Sequence, residues 1–150
     1  MRDPYRNAEH DVQDALGYYD EVVKGGYTPM AMRRSTCFAV SRGELPLRKI
    51  LAYDDYTAWG GFAPGELVGL RRDALEDTLW SYRNDLAPLA FDWLRDGSIP
   101  AVVLVESSHG RAVGDGRGRV SLAVGLNLPS LPVIVLRATR KPLGPGVVCW

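Results

Sequence analysis

The sequence predicts an α+β domain, a small mixed β-sheet with helices packed on it and an extra N-terminal helix. Three observations carry this. Two apolar runs of strand composition, Ala101–Val105 and Leu131–Leu136, lie near the C-terminal end. Between them, Ser107–Gly110 has the polar composition of a hairpin turn and leads to a short strand, Arg111–Val113. Further toward the N-terminus, apolar residues recur at helical rather than alternating spacing.

Taken in order, Ala8–Lys24 reads as a helix, with Val12, Ala15, Leu16, Tyr19, Val22 and Val23 at three- and four-residue intervals. Gly25-Gly26 ends it. This segment, within a helical extension over residues 1–30, is expected to lie against a core over residues 36–140. Thr36–Val40 reads as a strand and Arg42-Gly43-Glu44 as a turn, while Leu45–Tyr53 mixes strand and helix signals and is placed as a second strand feeding Asp54-Asp55. Thr57–Gly69, rich in glycine and aromatics, reads as loop. Leu70–Tyr82 carries a stripe of Leu70, Ala74, Leu75 and Leu79 and reads as a helix. Pro88 interrupts the next stretch, so a further helix is placed at Leu89–Arg95, with Asp96-Gly97 as its stop. A last helix is expected from about Gly116 to Val124, with a narrow apolar face of Val120, Ala123 and Val124 and with Gly125 at the left-handed position after it. The tail after Lys141 reads as irregular, with Val147–Trp150 able to pack back.

Composition narrows the function classes. A chain of 150 residues with 46% hydrophobic content fits one compact domain with a real core. Eighteen basic residues balance eighteen acidic ones, so the chain lacks the overall positive charge of a strong nucleic-acid binder. No apolar run approaches the roughly 20 residues of a membrane helix. The polar, acidic first residues lack a signal-peptide pattern, which sets the cytoplasm as the expected location. The two cysteines, Cys37 and Cys149, lack metal-type spacing and read as reduced thiols.

The chemistry concentrates in Val113-Gly114-Asp115-Gly116-Arg117-Gly118-Arg119. A helix N-terminus leaves backbone N–H groups without partners and carries positive partial charge. Gly114, Gly116 and Gly118 would let an anion approach those groups, and Arg117 and Arg119 could clamp phosphate oxygens. Asp115 could cap the helix or hold a metal or hydroxyl. The plainer reading is a turn with an Asp cap and solvated arginines.

The order of elements around this turn carries a resemblance. From Leu94 onward it runs: helix end, Asp96-Gly97, Ile99-Pro100, apolar strand, polar hairpin, short strand, D-G-R-G-R, apolar helix, Gly125-Leu126, and Leu131-Pro132-Val133-Ile134-Val135. This resembles the core of the ParB/sulfiredoxin-like superfamily over Leu94–Arg137, with a weaker match at Leu45–Asp55. Members show a helix ending in Gly, a Pro opening a strand, and a hairpin into D-G-x-H-R or G-E-R-x-R. The resemblance implies a ParB/sulfiredoxin-like fold and a turn, Gly114–Arg119, that binds the phosphates of a nucleotide, ATP or CTP, with Mg²⁺. Relatives repair oxidised cysteine with ATP, phosphorylate free serine, hydrolyse CTP as DNA clamps, act as nucleases or regulate DNA modification. An ATP-dependent phosphotransferase or nucleotide hydrolase is therefore expected. The alternative is a DNA-associated or protein-binding regulatory module, or a ParB-like nuclease of a mobile element.

Relatives with kinase activity place a carboxylate after the entry strand, which nominates Asp54 and Asp55 as candidate catalytic residues beside Asp115. Two departures stand out. Gly118 occupies the His position of D-G-x-H-R, and no cysteine lies at the turn, which argues against sulfinate repair. His109 in the hairpin turn and His10 on the first helix read as surface residues. Trp80 and Trp93 read as core, and Trp59 and Phe62 as a ligand lid.

Overall fold

A computed structural model describes residues 2–24, 37–83, 85–108, 110–140 and 144–149, without the side chains of 18–24. The expectations for Gly25-Gly26, Thr36, His109, Lys141 and Trp150, and for the side chains of Tyr19, Val22 and Val23, lie outside these residues.

The chain is a mixed α+β structure. In order it forms α1 (Ala8–Lys24), β1 (Cys37–Pro46), α2 (Leu47–Leu51), a 3-10 turn (Tyr56–Trp59), α3 (Arg72–Tyr82), α4 (Leu86–Asp96), β2 (Val102–Ser107), β3 (Gly110–Asp115), α5 (Arg117–Gly125), β4 (Ser130–Thr139) and β5 (Val147–Cys149). The five strands lie in the order β3-β2-β4-β1-β5. β2 and β4 run parallel, while β3, β1 and β5 each run antiparallel to the strand they join. The parallel pair needs a crossover, and the β3–α5 segment supplies it.

Alternation along the central strands divides the core. Val102, Leu104, Val133 and Val135 face a cluster built with Leu79, Leu86 and Leu122 of α3, α4 and α5. Val103, Val105, Ile134 and Leu136 face the opposite way, where Val12, Ala15 and Leu16 of α1 cover them together with Phe38. The expected N-terminal helix against the core is thus a cover over one face of the sheet.

Several expectations are corrected. Cys37–Val40 is strand as expected, but the turn at Arg42–Glu44 and the separate strand from Leu45 are replaced by its continuation into one ten-residue strand, β1, paired with β4 from Cys37↔Thr139 to Pro46↔Ser130. Its polar middle resembles a turn because, among the described residues, β5 reaches only Cys37–Ala39 and leaves the rest of β1 as a sheet edge. Tyr5 covers part of that edge, its hydroxyl donating to Gly43 O at 2.9 Å. Residues 47–51 are helix, not strand, because the chain turns at Pro46 to bury Ile50. α4 begins at Leu86, ahead of Pro88: a proline in the first helical turn removes no intrahelical bond, since those N–H groups have no acceptor. Gly97 does close α4, with φ 68°.

α5 is not narrowly amphipathic: every residue from Gly118 to Gly125 is buried. Gly125 lies inside the helix, and the positive φ falls instead on Asn127, at 53°. The glycine answers to packing, since a Cβ there would sit 2.7 Å from Leu67 Cδ1. Trp80 is 44% exposed rather than core, because its neighbour Leu79 takes the inward position. Phe62 is buried against Tyr82, with ring centroids 4.6 Å apart, and is not a lid. Cys37 and Cys149, expected as thiols, are joined in a disulfide because β5 folds back opposite the start of β1. Among the described residues, no helix is long and apolar enough to cross a membrane.

Candidate functional site

The turn singled out in the sequence joins β3 to α5 at one edge of the sheet. Gly116 is the N-cap of α5 with φ 108°, a conformation that L side chains rarely adopt, and among the described residues no side-chain cap hydrogen bond is made there. Asp115 is therefore not the cap. Gly114 is required for a different reason. A Cβ on it would lie 2.7 Å from Ala15 Cβ and 2.9 Å from Val105 Cγ2, so the bare backbone lets α1 lie directly on β3. Gly118 faces the α3–α4 link, and a Cβ there would stand 3.2 Å from Arg83 Nη1.

Arg119 is buried and does not project as a phosphate clamp. Its Nη1 donates to Asp11 Oδ2 at 3.1 Å and to the carbonyls of Pro100 and Ala101, and its Nη2 donates to Asp115 Oδ2 at 3.1 Å. The Arg119 and Asp11 side chains are each 10% exposed, and that of Asp115 is 26%. The residue read as a ligand contact is thus the internal tie between α1, the start of β2 and the turn.

Burial pushes the Asp115 carboxyl up to about 6, against the opposing pull of Arg119. The negative charge of Asp11, a hydrogen bond between the two carboxyl groups and the more distant Asp14 add to the rise. A partner 3.1 Å away would ordinarily hold a carboxylate low. Here one guanidinium serves two carboxylates, so its charge does not compensate both.

Arg117 points the other way. Its Nη2 donates to Asp54 Oδ2 at 3.2 Å and its guanidinium lies 5.0 Å from the centroid of the Trp59 ring. This brings Asp54 to the start of α5, as the sequence reading required, although it follows α2 rather than a strand. Asp55 does not join the site. Its side chain accepts from Thr57 N at 3.2 Å and from Thr57 Oγ1 at 2.6 Å, which caps the 3-10 turn.

The turn forms the floor of an open cleft of about 670 Å³. One wall is α1, with His10, Asp11 and Asp14, and the other is α4, with Leu86, Leu89 and Trp93. Arg83 and Asp85 of the α3–α4 link complete it. Trp93 is thus a half-buried cleft residue as well as a packing one. His10 is mostly exposed, and its hydrogen bond with Asp11, then the charge of Asp14, raise its pKa. Donor atoms of His10, Asp11 and Asp14 lie within 4.8 Å of one another, but Asp11 is already bound to Arg119, and no ion is assigned there.

Sequence reasoning missed the contribution of α1. Asp11 adjoins Val12 in the apolar stripe of an amphipathic helix, where a carboxylate reads as ordinary surface. Only the tertiary pairing with Arg119 distinguishes it. Comparisons with protein-family models, curated proteins and solved structures return no significant match.

Proposed function

We infer that this chain binds the phosphate groups of a nucleotide at the N-terminus of α5, within a core of the ParB/sulfiredoxin-like type. The observation that carries this reading is the first turn of α5, which has no side-chain cap and opens from a left-handed glycine into the cleft. Such a terminus offers backbone N–H groups and positive partial charge to an anion. Arg117, 40% exposed and lining the same cleft, adds a fixed cation beside it. The order β2, β3, α5, β4, with β2 parallel to β4, supports the family reading.

Leu86, Leu89 and Trp93 give the cleft an apolar wall suited to the rest of the ligand. Asp115 is the carboxyl carried by the turn itself, lines the cleft, and is the group we assign to proton handling in phosphoryl transfer or nucleotide hydrolysis. Asp54 has the secondary role of holding Arg117. The carboxylates do not fit direct ligation of Mg²⁺, because Arg119 already lies between Asp11 and Asp115 with its own positive charge. The ion would therefore arrive on the phosphates.

Thermal unfolding with ATP, CTP and GTP, each with and without Mg²⁺, tests the reading. A nucleotide at about 100 times its Kd should raise Tm by about 5–10 °C. Arg117→Ala should reduce that rise. The absence of a shift with every nucleotide in both conditions sinks the proposal. Salt-sensitive DNA binding lost in the same variant would instead favour a DNA-associated module.

A further inference from the structure

Asp11 lies outside the β2–α5–β4 stretch that carries the phosphate reading, and it is tied to the turn through Arg119. That guanidinium is fixed from three directions: by Asp11 on α1, by the Pro100 and Ala101 carbonyls before β2, and by Asp115 on the turn. It cannot swing fully to Asp115 without breaking the bonds to α1 and to the chain entering β2. Resting on the phosphate reading, we propose that Asp11 is a positioning residue for Asp115. By holding the far side of Arg119, it keeps the Asp115 carboxyl facing the cleft and able to meet a phosphate oxygen as a hydrogen-bond donor.

The reason lies in charge. Two carboxylates on one guanidinium leave an uncompensated negative charge in a mostly buried group, and one proton cancels it. The other groups around Asp115 do not remove that charge. On α1, Asp14 adds to it, and His10, mostly exposed and shared between Asp11 and Asp14, offsets only part of it. In the α3–α4 link, Arg83 is bonded to Asp85 at 3.2 Å. On α5, Arg117 is bonded to Asp54. An ionised Asp115 would repel a phosphate at the start of α5, whereas a protonated one would donate to it. Binding of the anion and uptake of a proton by this pair are then linked. The upward shift of Asp115, in which Asp11 takes part, agrees with this arrangement.

The test follows the Asp115 carboxyl carbon by NMR from about pH 4 to about pH 8 in the wild type, Asp11→Asn and Asp11→Glu. Sulfate is the probe, because its own charge is constant over that range. In the wild type Asp115 should titrate near 6, as burial beside Asp11 requires. Sulfate should raise that midpoint and should bind about tenfold more tightly at about pH 5 than at about pH 8. Asp11→Asn should move the midpoint down toward the ordinary carboxylate range and flatten the pH dependence of binding, and Asp11→Glu should restore both. A purely structural Asp11 would change stability and leave the midpoint in place, and that result overturns the inference. So does a wild-type Asp115 that titrates as an ordinary carboxylate, a measurement that requires no variant to fold. Failure of both sulfate and ATP to bind at any pH would defeat the phosphate reading instead, whatever Asp11→Asn does to the titration.

Discussion

Asp11 and Arg119 are 108 positions apart in sequence and meet at 3.1 Å in the interior. This contact fastens the N-terminal helix to the turn that opens α5. It sets the expected cost of losing the arginine. Arg119→Ala leaves Asp11 and Asp115 facing each other without the guanidinium between them and leaves the Ala101 carbonyl without its donor. Breaking a buried pair from one side costs about 3–5 kcal/mol. Urea unfolding should show a loss of that size. Arg119→Lys should recover only part of it, because an ammonium cannot present two parallel donors to two carboxylates. A variant as stable as the wild type would show that the network contributes nothing.

The Asp115 carboxyl gives the stability a sign with pH. Its folded pKa, about 6, lies above the ordinary 3.8, so the folded state favours the proton. That contribution is complete below about pH 4 and is lost as pH rises through about 6. Two units fully expressed would be about 3 kcal/mol, and screening at a partly exposed group reduces this to about 1–2 kcal/mol. Asp115→Asn should therefore exceed the wild type in stability by about 1–2 kcal/mol at about pH 8 and lose that advantage at about pH 4. His10, whose pKa is also raised, favours the folded state in the same direction, so the comparison is best made in a His10→Asn background. An Asn variant that is less stable at high pH would contradict the assignment.

Much of the fold is legible locally, and the limits of that legibility have physical causes. The spacing of Val12, Ala15 and Leu16 marks α1, and Gly97 ends α4 where its left-handed φ requires. The hairpin, α5 and β4 stand close to where their composition puts them. The misreadings involve distant pairing. Arg42-Gly43-Glu44 resembles a turn until β4 is laid beside it, and Cys37 reads as a thiol until β5 returns. The site follows the same rule. The turn Gly114–Arg119 is visible in sequence, but the division of labour between its arginines is not. Arg119 faces inward because Asp11 and the Ala101 carbonyl are there to receive it, and Arg117 faces outward to Asp54 and Trp59.

The approach of α1 to β3 depends on a missing side chain. A Cβ on Gly114 would overlap Ala15 Cβ at 2.7 Å, and both neighbouring elements are packed in the core. Gly114→Ala should cost about 1–3 kcal/mol as overpacking. If the clash with Ala15 is the cause, pairing it with Ala15→Gly should return part of the loss, beyond the helix penalty of about 1 kcal/mol that the new glycine brings. Additive losses in the double-mutant cycle would place the cost on the Val105 side.

The disulfide acts on the same sheet from the other end of the chain. Cys37 and Cys149 lie 112 residues apart, so their bond closes a loop over most of the protein. A loop of that size restricts the unfolded chain by an amount worth up to about 4–5 kcal/mol. In the folded state the bond holds β5, only three residues long, against the start of β1. Val148 there packs toward the cluster under α1 that contains Phe38. Reduction, or Cys149→Ser, should lower Tm by about 8–15 °C while the sheet remains intact in circular dichroism. Proton exchange should rise first at Val147 and Val148 and should leave β2 and β4 protected, since those strands are central and β5 is held mainly by its edge pairing. An unchanged Tm under full reduction would show that the strand pairing alone holds the terminus.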